Sequence, residues 1–197
     1  MCGSVVTPVT VPGTDSLAAL RRLYLLRFAF AAVWAVLLFG SARSLGPLSA
    51  TLLVIYPLFD VACAVADLRS ARPGGGPVRG LQANIVLSSL TTAALLTACF
   101  SGIPAVLRVW GAWAITAGLV QLIVGVLRRG MGGQWPMIAS GAISTLAGGS
   151  FVAQAAQEDA SLTALAGYAF LGGVFFLASA LRLLRLGRAD GAAGGTV

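Results

Sequence analysis

Six long apolar runs determine what this chain can fold into. They cover residues 23–40, 48–68, 81–100, 105–127, 135–156 and 162–184. Each is close to the ~20 residues that an α-helix needs to cross a ~30 Å hydrocarbon layer. A helix also satisfies its own backbone hydrogen bonds, which lipid cannot do. The runs therefore predict an all-α integral membrane protein whose six transmembrane helices form three tandem helical hairpins.

The composition excludes an ordinary soluble domain. Of 197 residues, 58% are hydrophobic and 10% are charged, against ~45–50% and ~25% in soluble domains. We expect a bundle over residues 20–187, a flexible tail over 1–19 and a second tail over 188–197. The net charge of +7 does not indicate nucleic-acid binding, because the arginines stand at the ends of apolar runs and not in a basic cluster with aromatic residues. The lipid bilayer is the expected partner.

The distribution of arginine predicts the orientation. Eleven of the thirteen basic residues lie near the two termini or in the second and fourth connections. The other three connections contain only Arg43 and Arg108. Because basic residues concentrate on the cytoplasmic side, both termini are expected in the cytoplasm. The predicted hairpins, 20–68, 81–128 and 134–186, then have their short turns on the other side.

The second helix of each hairpin ends in the same pattern, a small residue, any residue, Leu and Arg. The three arginines are Arg69, Arg128 and Arg182. The residues ten positions before them are Phe59, Gly118 and Gly172. Shared spacing and polarity favour a threefold hairpin repeat, although a helix that ends at the cytoplasmic face could finish in Leu-Arg without one.

Several glycines are predicted helix-packing residues, because small residues let membrane helices approach closely. They are Gly118, Gly125, Gly141, Gly148 and Gly172. Glycine-lined faces could also serve a homo-oligomer.

The third hairpin resembles the HdeD-like family of small bacterial membrane proteins. The resemblance rests on Gln134-Trp135-Pro136-Met137-Ile138, Gly141-Ala142-Ile143-Ser144, Gly148-Gly149, Gly167-Tyr168, Gly172-Gly173 and Leu181-Arg182. It is best over residues 105–186 and thinner over 20–100, where Phe59 replaces the expected glycine. It implies three hairpin repeats in the inner (plasma) membrane, and the family name implies a link to acid resistance.

Asp60 is the outstanding polar residue, since a charged group inside a membrane helix is a candidate functional site. Tyr56, Asp60, Cys63 and Asp67 share one helix face. We hypothesise that Asp60 joins Arg27, Ser88 and Gln121 in an intramembrane polar cluster, which Tyr56 also faces.

That cluster has two interpretations. It could be a site that responds to protons or cations, or Arg27 and Asp60 could neutralise each other and hold helices together. Asp67 is interpreted as an interfacial residue beside Arg69 and Arg72.

Residues for other chemistry are few. The chain has no histidine, and its three cysteines lack the spacing of a metal site. Without histidine most hydrolytic dyads are excluded. We expect no enzyme activity, cofactor or metal. Three functions stay open: a non-enzymatic membrane protein of the HdeD-like type in envelope stress or acid tolerance, a small proton- or cation-coupled transporter or channel, and an assembly or scaffold subunit.

Overall fold

The fold is given by a computed structural model, which describes three long stretches of chain and one short one. The described backbone covers residues 14–71, 78–127, 129–131 and 134–193, and the described side chains cover 18–69, 78–127, 129–130 and 134–185.

Six α-helices account for nearly all of the described residues. They are α1 (Thr14–Ser41), α2 (Pro47–Ala71), α3 (Val78–Ser101), α4 (Ile103–Leu127), α5 (Trp135–Gln154) and α6 (Thr163–Ala193). Each contains a stretch long and apolar enough to cross a membrane. The predicted all-α architecture with six candidate spans is confirmed, and the chain is a multi-pass membrane protein.

The first and last helices extend beyond the predicted bundle. Helix α1 begins at Thr14, inside the region predicted as a flexible tail, and α6 continues to Ala193, inside the predicted C-terminal tail. The apolar runs mark only the part of a helix that lies in lipid. Leu, Ala and Arg favour helix in water as well, so the two helices continue past that layer.

The connections fall at two opposite ends of the bundle. The turns 42–46, Gly102 and 155–162 lie at one end, here called the turn end. The two termini and the α2–α3 and α4–α5 connections lie at the other, the terminal end. Gly102 joins α3 to α4 alone, and its φ of +96° is a backbone conformation that glycine adopts at little cost.

The helices form a ring in chain order, which α1 and α6 close by packing together. The two helices of each predicted hairpin pack against each other less extensively than the helices of neighbouring hairpins do. The more extensive contacts join the second helix of one hairpin to the first helix of the next, as α2 with α3, α4 with α5, and α6 with α1. The three hairpins therefore follow one another cyclically, and neighbouring hairpins hold each other together.

Glycine explains the closest of these contacts. A Cβ atom added at Gly118 would lie 2.7 Å from the Gly141 carbonyl oxygen, and one at Gly148 would lie 2.6 Å from that of Gly111. A Cβ at Gly125 would lie 2.8 Å from Ile138. The backbones of α4 and α5 thus touch where side chains would separate them, so these predicted packing glycines act within the chain.

The prediction for Gly172 needs correction. A Cβ at Gly172 would meet nothing within 4 Å, whereas one at the buried Gly173 would lie 3.1 Å from Ala31 of α1. One residue turns the position by about 100° around a helix of 3.6 residues per turn. The spacing from Arg182 could not determine which of the two adjacent glycines faces α1.

The hydrophobic core occupies the turn-end half of the bundle and receives side chains from all six helices. Its largest fully buried members are Trp34, Trp110 and Phe151. At the turn end, the Leu162 amide also donates to the Ala42 carbonyl at 3.0 Å, which joins the first turn to the third. The bundle is therefore fixed most firmly at this end, and Arg27, Asp60 and Asp67 lie beyond the core toward the terminal end.

Candidate functional site

Asp60 of α2 lies where α1, α2 and α3 meet, and its carboxylate receives three donors. Arg27 of α1 donates from Nη1 to Oδ1 at 3.1 Å. On α3, Asn84 donates from Nδ2 to Oδ2 at 2.7 Å, and Ser88 donates from Oγ to the same oxygen at 2.9 Å. Both carboxylate oxygens are thus bonded, and the charge is opposed by a guanidinium. The structure brings together Asp60, Arg27 and Ser88, as the sequence suggested, and adds Asn84.

Arg27 also lies near a second carboxylate. Its Nη2 atom is 3.7 Å from Oδ2 of Asp67, two helical turns from Asp60 on the same face of α2. Sequence analysis did not anticipate this contact: it interpreted Asp67 as an interfacial residue beside Arg69 and Arg72, of which Arg72 lies outside the described residues. Arg27 can reach both acids because they face α1 together. Two carboxylates therefore share one guanidinium.

The guanidinium also lies over an aromatic ring. The Arg27 Cζ atom lies 5.1 Å from the centre of the Phe176 ring of α6, within range of a cation–π contact. Arg27 therefore joins the closing helix pair α6–α1 to the α2–α3 pair. Its Nε is buried and has no hydrogen-bond partner among the described residues.

A small cavity adjoins the ion pair. Its volume is about 20 Å³, and its lining includes Arg27, Tyr56, Asp60 and Phe176. That is enough for about one water molecule. The site can therefore hold a single small polar species beside the carboxylate, in a setting otherwise made of aromatic rings.

Tyr56 lies one turn before Asp60 and belongs mainly to an aromatic cluster. Its ring centre is 4.6 Å from that of Trp34, 5.4 Å from Trp110 and 6.2 Å from Trp113. The indole Nε1 of Trp34 donates to the Leu52 carbonyl of α2 at 2.6 Å. Tyr56 thus lies between the core and the Asp60 site and separates the carboxylate from the turn end.

The expectation for Gln121 needs correction. Within the described chain it makes no hydrogen bond to Asp60, Arg27 or Ser88. Its position along α4 places it at the depth of the cluster, but that position does not determine which face of α4 carries the side chain. Asn84 supplies the amide that was expected from Gln121, because it lies one turn before Ser88 on the helix that packs against α2.

A second polar contact joins α5 to α6, a pair whose packing is otherwise sparse. The Tyr168 hydroxyl donates to the Ser144 hydroxyl at 3.0 Å. Sequence reasoning did not single out this pair, although both residues stand in apolar helices where a hydroxyl needs a partner. Each of the three hairpins therefore contributes polar groups to the bundle interior.

The three interfaces between hairpins differ in what occupies the repeated position. Gly118 contacts Gly141 and Thr145 on α5, and Gly173 contacts α1. In the α2–α3 interface Phe59 stands at the position of Gly118, and the next residue, Asp60, which is equivalent to Gly173, bonds to Asn84 and Ser88 of α3. One interface of a cyclic set thus replaces close backbone contact by a charged hydrogen-bond network.

No family model, curated protein or solved structure matches this chain in comparisons of its sequence and fold.

Proposed function

We propose that this chain is a non-enzymatic membrane protein of a bacterial inner membrane, of the HdeD-like type, that supports tolerance of acid or other envelope stress. The stress role comes from the sequence resemblance. The observation that carries the non-enzymatic role is the closed coordination of Asp60, whose two oxygens are bonded by Arg27, Asn84 and Ser88. Because both of its oxygens already accept hydrogen bonds from protein donors, the carboxylate joins three helices and has few remaining acceptor positions for a substrate.

In this proposal the polar network is a structural tie within the bilayer. Hydrogen bonds and ion pairs can join membrane helices where no hydrophobic force between helices acts. The first interface of the ring lacks the glycine contact of the other two, and the Asp60 network takes its place. Both termini lie in the cytoplasm in this proposal, in accord with the arginine distribution.

Acid survival of living cells tests the proposed role. A strain without its chromosomal copy receives the wild-type gene or an Asp60→Asn variant, and survival is counted after exposure to low pH. We expect the wild type to restore survival. The variant should restore it too when it accumulates to the same level, because an amide still accepts from Asn84 and Ser88. No difference between the deleted strain and the complemented strain would reject the acid-tolerance role.

A second candidate function is proton- or cation-coupled transport. The observations that favour it are the two carboxylates on one guanidinium and the cavity of about 20 Å³ beside them. Proton flux into liposomes containing the purified protein separates the two candidates. Flux in the wild type that Asp60→Asn abolishes would establish transport and reject the structural tie. No flux, together with a partner that co-purifies in mild detergent, would favour the scaffold subunit.

A further inference from the structure

A large apolar groove lies between α2 and α3 in the turn-end half of the bundle, away from the Asp60 site. Its volume is about 630 Å³. The walls include Leu45, Val54 and Leu58 on one side and Leu96, Cys99 and Phe100 on the other. The Thr51 hydroxyl is the polar side-chain group of the lining, and it already donates to the Pro47 carbonyl at 2.8 Å. The groove therefore suits a hydrocarbon occupant.

The groove opens toward lipid and matches one leaflet in depth. Its rim includes strongly exposed apolar residues of membrane-spanning helices, and Phe100 is 94% exposed. From Pro47 to Leu58 the helix rises about 17 Å at 1.5 Å per residue. Half of a ~30 Å hydrocarbon layer is about 15 Å. One acyl chain of the leaflet at the turn end could thus lie along the whole groove.

The chain carries a basic residue close in sequence to the turn-end part of the groove lining. Arg43 is exposed in the α1–α2 turn, two residues before Leu45. No carboxylate lies within ion-pair distance of it in the part of the chain that the structure describes. Because Arg43 follows the end of a membrane-spanning helix, we expect it at the level of lipid phosphates, which guanidinium groups bind with two parallel hydrogen bonds.

We propose that this groove is a lipid site, in which one acyl chain of an anionic phospholipid lies against α2 and α3 while its phosphate binds Arg43. Acyl chains do not prefer an apolar surface over other lipid chains, so retention depends on the concave shape and on the charge of Arg43.

Photocrosslinking in lipid nanodiscs tests the site. The full chain is reconstituted in phosphatidylcholine with a minor fraction of phosphatidylglycerol that carries a diazirine on one acyl chain. After illumination, peptide mass spectrometry locates the lipid adducts. We expect adducts concentrated on residues 45–58 and 96–100, and few at Leu146 of α5, which is 75% exposed and lies outside the groove. Adducts spread evenly over all exposed helices would overturn the proposal.

Two variants separate the contributions of charge and shape. Arg43→Gln should reduce the groove adducts by about fivefold, the effect of one arginine near an anionic lipid surface. Ala50→Trp fills the groove and should remove them, while the matched variant Leu146→Trp should not. Equal labelling of the groove by a phosphatidylcholine probe would reject the anionic headgroup. Efficient disulfide dimers through Cys99 would show that a second copy covers the groove and would overturn the lipid site.

Discussion

The Nη1 atom of Arg27 on α1 lies 3.1 Å from Oδ1 of Asp60 on α2, and Nη2 of the same guanidinium lies 3.7 Å from Oδ2 of Asp67. One arginine thus holds two acids that are two turns apart on a neighbouring helix. Because Asn84 and Ser88 bind the other oxygen of Asp60, the pair also fixes α3. Three helices of the ring are joined at this point.

Removing the carboxylate should destabilise the bundle. We expect Asp60→Leu to lower the free energy of unfolding by about 2 kcal/mol, below the ~3–5 kcal/mol of a fully buried pair. The value lies below that range because polar contacts between membrane helices contribute less than expected, since the unfolded state in the membrane also finds partners for these groups. Reversible unfolding in mixed micelles measures it. In a double-mutant cycle with Arg27→Leu, the double variant should lose less than the sum of the two single variants; strict additivity would show that the pair is not coupled.

Two adjacent glycines of α5 should respond oppositely to the same substitution. A Cβ at Gly148 would lie 2.6 Å from the Gly111 carbonyl oxygen and 2.8 Å from the Ile115 amide, whereas one at Gly149 would meet nothing within 4 Å. Gly148→Ala forces α4 and α5 apart and should cost about 1–3 kcal/mol. Gly149→Ala should be neutral or stabilise by up to about 1 kcal/mol through helix propensity. Equal effects in thermal unfolding would contradict the close contact.

The tryptophans offer a similar matched pair. Trp34 is 1% exposed and donates to the Leu52 carbonyl at 2.6 Å, while Trp135 is 78% exposed at the start of α5. Trp34→Phe removes a buried donor and leaves a small cavity, so we expect a loss of about 2 kcal/mol. Trp135→Phe should change the unfolding free energy by less than about 0.5 kcal/mol. A larger loss for Trp135→Phe would contradict the placement of these two residues.

Cysteine labelling should report the two ends of the bundle on opposite sides of the membrane. In a background without the native cysteines, Arg129→Cys lies between α4 and α5 and Glu158→Cys lies between α5 and α6, and both positions are exposed. A membrane-impermeant maleimide added to intact spheroplasts should label position 158, whereas position 129 should react only after lysis. Labelling of both positions from one side would contradict a single crossing by α5.

The sequence predicted the six spans because each depends on local composition. An apolar run long enough to cross the bilayer can satisfy its backbone there only as a helix. The pairing of Arg27 with Asp60 could also be anticipated, since an intramembrane acid needs a partner at similar depth. Gln121 of α4 lies at suitable depth as well, but it makes no hydrogen bond to Asp60, and Asn84 of α3 supplies the amide donor.

The sequence by itself therefore determined that the chain is a membrane protein of six helices with one charged helix face on α2. Only the tertiary structure decided which helices touch. The spacing of residues along a helix fixes the face they share, but not the helix that lies opposite. The ring closed by α1 and α6 brought Phe176 over Arg27, turned Gly173 toward α1 in place of Gly172, and left Asp67 within reach of the same guanidinium. These contacts arise from how the helices pack together, a property that no single apolar run contains.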